Sequence, residues 1–268
     1  MLFSNIKVYN FEGALRGMRN PKNSWHLSDS KFGYGTRDDI DVIADRVATE
    51  WVIAWSNQLD YVDERDKTAE YGYKLAYLLD NGVYNQDDDI HEYALIGPKD
   101  MKLAKALIAG GSEHRKFLRQ IMVSVDITAP RYWWAEFDTY KVGTTANSTS
   151  TMHKLASTPI TLECFEIDDF DVNITDPKEL IEALERLRVA YNETKDKRYW
   201  KELVRWLPNG WLQTRTVTMN YENLLSMCHQ REHHKLTEWS GIDPFGTPSF
   251  IKFAKSLPYA NDFIFPST

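Results

Sequence analysis

The stretch that organises this chain is Asp126–Lys154, DITAPRYWWAEFDTYKVGTTANSTSTMHK. Just before and into it, apolar residues alternate with more polar ones through Ile121–Ile127, which is the two-residue period of a half-buried strand. Thr128 is expected to cap a helix that follows, with Pro130 in the first turn, where a missing N–H costs nothing. Gly143 is expected to end this helix.

The predicted helix is strongly aromatic, and a polar loop follows it. The rings belong to Tyr132, Trp133, Trp134, Phe137 and Tyr140. They indicate buried core or a subunit interface, and stacking on a ligand ring is the alternative. The loop, Thr144–Thr151, consists of small hydroxyl residues with Asn147 among them. It is either a solvated connection or a segment that turns N–H groups and hydroxyls toward an anion or a polar ring.

Length and composition favour one large domain, assigned here to residues 1–268, with a sizeable core. The formal charge of −7 predicts no general attraction to nucleic acid or to an anionic membrane. No apolar run reaches the roughly 18 residues of a spanning helix, and the N-terminus lacks the layout of a signal peptide. Cys164 and Cys228 are too few for a disulfide framework, so a cytoplasmic protein is expected.

Periodicity and capping residues predict the remaining elements. Strands are expected at Phe3–Phe11 and at Ile160–Cys164, besides the one before Thr128. Helices are expected from Asp38 to Trp55, over Thr68–Leu79, from an Asp100 cap to Ile108, in a short segment after Ser112, over Leu180–Tyr191, Tyr199–Leu207 and Asn220–Trp239, and from Phe250 to Leu257. Gly17–Gly35 is expected to be a loop and Asn85–His91 a solvated turn. The predicted fold class is α/β of the α+β type: a helix-rich single domain with a modest mixed or antiparallel sheet, plus an N-terminal helical extension over about residues 1–97.

A histidine-rich stretch, CHQREHH, raises the question of a metal site. His229 and His233 are four residues apart and would share one face of a continuous helix, as two metal ligands should. A zinc-protease helix requires Glu directly after the first His, and this chain has Gln230 there. No metal site is therefore predicted.

Three blocks together resemble the flavin-dependent thymidylate synthases. The first is the strand, Ala-Pro, aromatic helix and polar loop of the opening stretch. The second is Leu207-Pro208, Asn220, Arg231 and Glu238-Trp239, and the third is Leu107, Gly110, His114 and Phe117. They fall in the order and at the spacing of that family's motifs, and they cover about a third of the chain.

The resemblance implies reductive methylation of dUMP or a related uridine nucleotide, with FAD as cofactor and NADPH and methylene-tetrahydrofolate as co-substrates. It also implies a homo-oligomer, by family a tetramer, because each flavin site is built from several subunits. Carried over by position, the implied residues are Arg231 and Ser150 for catalysis, Asn220, His114, Tyr140, Lys141 and Thr144 for the cofactor, and Arg231, Asn147, Ser148, Ser150 and Arg205 for the substrate.

Simpler roles stand beside two of these residues. Arg231 could be a helix charge paired with an acid, and Asn220 could be a helix cap. The chain also departs from the family pattern, because the family's Arg-His-Arg falls on Thr139, Tyr140 and Lys141 and its loop Arg falls on Thr151 or Met152. Each lost charge-assisted phosphate contact costs about 1.5–3 kcal/mol. A nucleotide-binding or protein-interaction module that keeps the fold without the chemistry is therefore the alternative function.

Overall fold

In the computed structural model, the described residues are 1–87, 89–167, 171, 173–174, 176–242 and 246–266. The strands are β1 Leu2–Tyr9, β2 Lys31–Gly35, β3 Val83–Asp87, β4 Ile90–Leu95, β5 Met122–Pro130, β6 Thr145–Ser148 and β7 Leu212–Asn220. The α-helices are α1 Phe11–Arg19, α2 Arg37–Ser56, α3 Glu64–Gly82, α4 Pro98–Ala109, α5 Arg131–Phe137, α6 Thr151–Lys154, α7 Lys178–Thr194, α8 Lys197–Trp206, α9 Tyr221–Arg231, α10 Thr237–Ser240, α11 Phe250–Lys255 and α12 Ala260–Phe263. None of the described helices combines the length and apolarity needed to cross a membrane.

The main sheet is antiparallel throughout, with strand order β1-β5-β7-β6. Its core face carries the apolar residues that alternate along β5 and β7, including Val125 paired with Val217. The opposite face carries short polar side chains, such as Asp126 paired with Thr216, whose hydroxyl donates to the carboxylate at 2.5 Å. This alternation is what an antiparallel sheet with one solvated face requires. The α+β class predicted from the sequence is confirmed.

A second sheet, of order β2-β4-β3, is also antiparallel and packs with α2 and α3. Its own apolar cluster includes Ile40, Val47, Leu78 and Leu95, all buried. The segment before residue 97 therefore contains strands as well as helices, and β1 of this segment pairs with β5 in the main sheet. The division of the chain near residue 97 stays a prediction.

A third apolar cluster holds α7 and α8 together. It is formed by Leu155, Ile160, Phe165, Leu184, Leu203 and Leu207. The long amphipathic pattern of α7 and the Trp-rich pattern of α8 were both predicted, within a few residues of their observed ends. These helices pack on each other through the leucines at helical spacing.

The opening stretch folds differently from the prediction. Thr128 is not a helix cap: it lies in β5, where its hydroxyl bonds that of Thr214 at 2.7 Å. The ladder with β7 continues to Pro130, so α5 begins only at Arg131, and it ends at Phe137 rather than at Gly143. Pairing with a neighbouring strand has overridden the local capping signal.

The segment Thr144–Thr151 is not a loop either. Half of it forms β6, which extends the main sheet by pairing with the otherwise open edge of β7. The small polar residues suit an exposed edge strand, where side chains need not pack. Ser150 follows as the cap of α6 and accepts the backbone N–H of His153 at 3.3 Å.

Several other predicted elements were wrong in bounds or type. Asp100 does not cap α4, because Gly97 is the N-cap and Asp100 is buried against Arg19. Ile160–Cys164 is not a strand and contains a single 3₁₀ turn. The helix expected over Asn220–Trp239 is broken into α9 and α10. Part of the loop expected at Gly17–Gly35 is helix and strand. Within Asn85–His91, the residues up to Asp87 belong to β3 and those from Ile90 belong to β4, and residue 88 lies outside the described residues.

Strand β7 was missed altogether. Its sequence, LQTRTVTMN, alternates Thr with larger residues, but only Val217 and Met219 are apolar enough to mark a core face. Threonine favours strands through its branched Cβ, so the signal lay in propensity rather than in hydrophobic alternation. This strand is central to the site, because it ends at Asn220, where α9 begins.

Candidate functional site

An open cleft of about 710 Å³ lies between α5 and the connection from α9 to α10. It is lined by Tyr132, Glu136, His233, His234, Lys235 and Leu236. The cleft exists because α9 stops at Arg231 and the chain turns before α10 starts at Thr237. The turn brings two imidazoles and an ammonium group to the same opening.

Arg231 occupies the end of α9 beside this cleft. Its guanidinium lies 5.0 Å from the ring centre of Trp239 and 5.5 Å from that of Tyr140. Its Nε donates to the Tyr140 hydroxyl at 2.8 Å, and its Nη1 donates to Glu136 at 2.6 Å. Planar stacking and a forked set of donors are the properties that separate Arg from Lys. Arg231 is thus held in one orientation by two rings and a carboxylate.

Glu136 joins the arginine to a histidine. Its Oε2 lies 3.1 Å from Nε2 of His234 as well as 2.6 Å from Arg231. The other ring nitrogen of His234, Nδ1, accepts the backbone N–H of Leu236 at 3.1 Å. An acceptor role at Nδ1 places the ring hydrogen on Nε2, facing the carboxylate. The three side chains therefore form one network with Glu136 at its centre.

A second carboxylate, that of Glu238 in α10, lies beside this network. Glu238 is buried and accepts a hydrogen bond from the Tyr132 hydroxyl. Trp239, the next residue, stacks on Trp133 with ring centres 4.6 Å apart, within the main apolar core. These two contacts fix the end of the turn that leads into α10, and they keep the imidazoles of His233 and His234 close to α5.

The segment Tyr140–Thr144 lies along the side of α9. At the last turn of the helix the Tyr140 hydroxyl donates to Gln230 at 3.1 Å, and at the first turn Asn223 donates to the carbonyl of Val142 at 2.8 Å. An 11-residue helix spans roughly 16 Å, so this segment links both ends of α9. Thr144 folds back and donates to the carbonyl of Tyr140.

Asn220 caps α9 in a reciprocal capping box with Asn223. Its side-chain oxygen accepts the N–H of Asn223 at 2.9 Å, which is the simpler of its two predicted roles. Gly143, with φ of 76°, sits against this cap, where an added Cβ would lie 2.7 Å from Asn223 Oδ1. The simpler role of Arg231, a helix charge paired with an acid, is likewise present in its ion pair with Glu136.

The remaining predicted site residues lie elsewhere. Asn147 and Ser148 are neighbours on β6, so their side chains point to opposite faces of the sheet. Arg205 lies on α8 and pairs with Glu202 at 2.8 Å. His114 is exposed after α4, with its ring against Gly110, and Lys141 is exposed beside Val142.

Glu136 and His234 were not selected as site residues from the sequence, and Glu238 was named only as part of a motif, although all three hold the cleft together. One signal could have found Glu136: it follows Tyr132 at four-residue spacing, which places both on one side of α5. His229 and His233 do not share a helix face, because α9 ends between them. Across the described part of the chain, no group of three or more His, Cys, Asp or Glu is placed to hold a metal ion.

Comparison with known proteins finds similarity only among solved structures. No protein-family model matches the chain, and no curated protein matches it. Solved structures similar to this chain include two of flavin-dependent thymidylate synthase ThyX from Helicobacter pylori with FAD and dUMP. The first is 14% identical, covers 87% of this chain and 95% of its own, and has a TM-score of 0.46. The second is 14% identical, covers 89% and 97%, and has a TM-score of 0.48.

Proposed function

We propose that this chain binds a uridine nucleotide in the cleft beside Arg231 and acts as a flavin-dependent thymidylate synthase-like enzyme. The reaction would be reductive methylation of dUMP, with methylene-tetrahydrofolate as carbon donor and NADPH as reductant. The observation that supports it is the network in which Glu136 and His234 line the open cleft and Glu136 holds Arg231, with its partner Tyr140, at the edge of that cleft. Such a set suits a flat, negatively charged ligand.

Substrate binding in this proposal depends on N–H groups of Arg231 that are not engaged by Tyr140 or Glu136. Of the five N–H groups of Arg231, two are engaged by Tyr140 and Glu136 in the described structure. The other donors are free to fork onto a phosphate or onto the paired acceptors of a pyrimidine ring. His233 and Lys235, both exposed at the rim, would add charge-assisted contacts to the same anion.

The proposal includes FAD as the bound cofactor. FAD would supply the hydride. Lys141 and His114 are exposed, and neither has an ion-pair partner among the described residues, so their donors suit the pyrophosphate. Thr144 and Asn220 are committed to internal hydrogen bonds, and in the proposal they position the Tyr140–Thr144 segment rather than touch the cofactor. Tyr140 would pack an edge or a face of its ring against FAD.

The proposal includes a homo-oligomer, by resemblance a tetramer, because the proposed cofactor residues are spread over distant parts of one chain. His114 neighbours Arg115, which pairs with Glu222 in the first turn of α9, whereas Arg231 is at the other end of that helix. A site that uses both ends of α9 and exposed loops is readily completed by a second copy of the chain. Ser150, Asn147, Ser148 and Arg205 stay predictions for substrate contact under the same scheme.

Freshly purified protein tests the proposal directly. The visible absorption spectrum reports bound oxidised flavin, and release of tritium from C5-labelled dUMP reports the chemistry. Arg231→Ala should abolish stabilisation by dUMP, whereas Arg186→Ala, on the exposed side of α7, should leave it unchanged. A colourless protein whose melting temperature does not respond to dUMP would refute the proposal.

A second candidate is a nucleotide-binding module without methylation chemistry. The replacement of the family's cations by Thr139 and by Thr151 or Met152 favours it. A binding module would gain thermal stability from dUMP, yet it would show neither flavin-dependent NADPH oxidation nor tritium release.

A further inference from the structure

A cavity of about 240 Å³ lies between α1 and the sheet β2-β4-β3, and it shares no lining residue with the cleft near Arg231. Aromatic residues on its walls include Phe11, Phe32, Tyr34 and Tyr84, beside the charged residues Glu12, Arg16 and Glu92. So small a space leaves little room for a nucleotide, since ligand pockets for drug-sized molecules run from roughly 300 to 1,000 Å³. The cavity suits a ligand of only a few heavy atoms.

Strand register explains how the walls form. Tyr34 pairs with Glu92 across β2 and β4, and Glu92 pairs with Tyr84 across β4 and β3. Residues directly opposite each other in a sheet point to the same face, so the carboxylate lies between two phenol rings. Gly33 lacks a side chain where a Cβ would lie 3.0 Å from the Tyr93 hydroxyl, which lets that ring approach the strand.

Tyr84 carries a polar group without a partner. Its side chain is 8% exposed, and its ring packs against Phe11 with centres 5.3 Å apart. Its hydroxyl makes no hydrogen bond to any residue that the structure describes, although it lines the cavity. The ring is buried but the hydroxyl is not fully enclosed, so this oxygen faces the space of the cavity and is available to an occupant.

The cavity is also negatively charged. Glu92 accepts from Asn85 Nδ2 at 2.9 Å, and its charge helps raise the pKa of Tyr34, while burial and then Glu92 raise the pKa of Tyr84. Both phenols therefore keep their protons more strongly than a free tyrosine does. On the helix side, Glu12 and Arg16 line the opening one turn apart and form no ion pair with each other in the described structure. The lining thus contains two acidic residues, Glu12 and Glu92, and one basic residue, Arg16, which gives it a formal charge of about −1.

We infer that this cavity is a binding site for a small organic ammonium ion, held between the Glu92 carboxylate and the surrounding tyrosine rings. Aromatic faces attract cations through the ring quadrupole, and aromatic cages are a known solution for quaternary ammonium groups. A bare metal cation is a poorer fit, because it requires several converging oxygen ligands rather than rings. The ammonium head would lie beside the half-buried Glu92 carboxylate and against the rings of Tyr34 and Tyr84, which are its neighbours across the sheet.

Isothermal titration of the full chain with choline and with 3,3-dimethylbutan-1-ol tests the inference. The two molecules have nearly the same shape, but only choline is charged. We expect saturable binding of choline and binding of the neutral isostere at least about 10-fold weaker, the step expected for a desolvated cation–π site with a carboxylate. Glu92→Gln should weaken choline by a similar factor and Glu12→Gln by about 3-fold, since Glu12 is at the exposed rim.

Glu50→Gln, an exposed change on α2, is the matched control and should bind choline as the unaltered chain does. If Glu92→Gln fails to fold, Glu12→Gln and the exposed change Tyr34→Ala decide the matter. The inference is overturned if the unaltered chain shows no saturable binding of choline. It is overturned equally if the isostere binds as tightly as choline, or if the folded Glu92, Glu12 and Tyr34 variants all bind like the unaltered chain.

Discussion

Replacing Glu136 by Gln gives the sharpest prediction for the cleft. Glu136 pairs with Arg231 at 2.6 Å, and the two side chains are 34% and 19% exposed. If Arg231 is the anion-binding group, Glu136 competes with the phosphate of a nucleotide for the same guanidinium. Glu136→Gln removes the competing charge while it keeps the shape and one acceptor oxygen. The variant should therefore bind dUMP more tightly than the unaltered protein.

The magnitude follows from the geometry of the pair. Unit charges roughly 4 Å apart attract by about 4 kcal/mol at an effective dielectric constant near 20. Solvent screening at a site this exposed lowers the net value to about 1 kcal/mol or a little more. The variant should lose about 1 kcal/mol of folding stability, and dUMP affinity should rise by about 5- to 10-fold, since 1.4 kcal/mol is tenfold.

The assay is titration calorimetry with dUMP, together with thermal melting of each variant. Glu202→Gln is the matched control, because Glu202 pairs with Arg205 on α8 at 2.8 Å, outside the cleft. Its affinity for dUMP should equal that of the unaltered chain. If folded Glu136→Gln binds dUMP no more tightly than the control, the assignment of Arg231 as the phosphate ligand is wrong.

Three further predictions concern the fold. Asp100→Asn should cost about 3–5 kcal/mol in urea unfolding, because it leaves the buried Arg19 uncompensated; a loss below 1 kcal/mol would contradict this reading of the pair. Burial raises the pKa of Cys228 from 9.0 to about 12, so the folded thiol keeps its proton while the unfolded one ionises, and stability should fall by about 1.4 kcal/mol per unit above pH 9. Cys228→Ala should flatten that slope in pH-dependent melting, and an unchanged slope would refute it. Gly143→Ala should destabilise by about 1–2 kcal/mol, since φ is 76° and the Cβ would meet the Asn223 side chain; equal melting of the two proteins would show that the turn adapts.

Much of the helical framework was predictable because helical periodicity is local. The pattern from Asp38 to Trp55 gave α2 nearly residue for residue, and the leucine spacing gave α7. Strand β5 was found for the same reason, since its alternation repeats four times on one face. The continuous helix expected through Glu232–Leu236 failed because the break is stabilised by contacts far along the chain, above all the stacking of Trp239 on Trp133.

The site was predictable only in part. Order and spacing of motifs selected Arg231 and Tyr140, and the structure places their side chains in contact at 2.8 Å. No local pattern indicated that Glu136 would form an ion pair with Arg231, because the two residues are separated by 95 positions. Capping roles were readable at Asn220, since a cap is a local hydrogen bond. The polar run after Gly143 was misread as a loop, since its pairing partner β7 had not been recognised.

The sequence by itself determined the α+β class, the main helices and one central strand, because these follow from the spacing of apolar side chains within a single element. Tertiary structure alone decided which strands are neighbours, where the long C-terminal helix breaks, and that Glu136 and His234 share one network with Arg231. Pairing and ion-pair formation join residues that are distant in the chain. Their free energy depends on distance in space, which the order of residues does not specify.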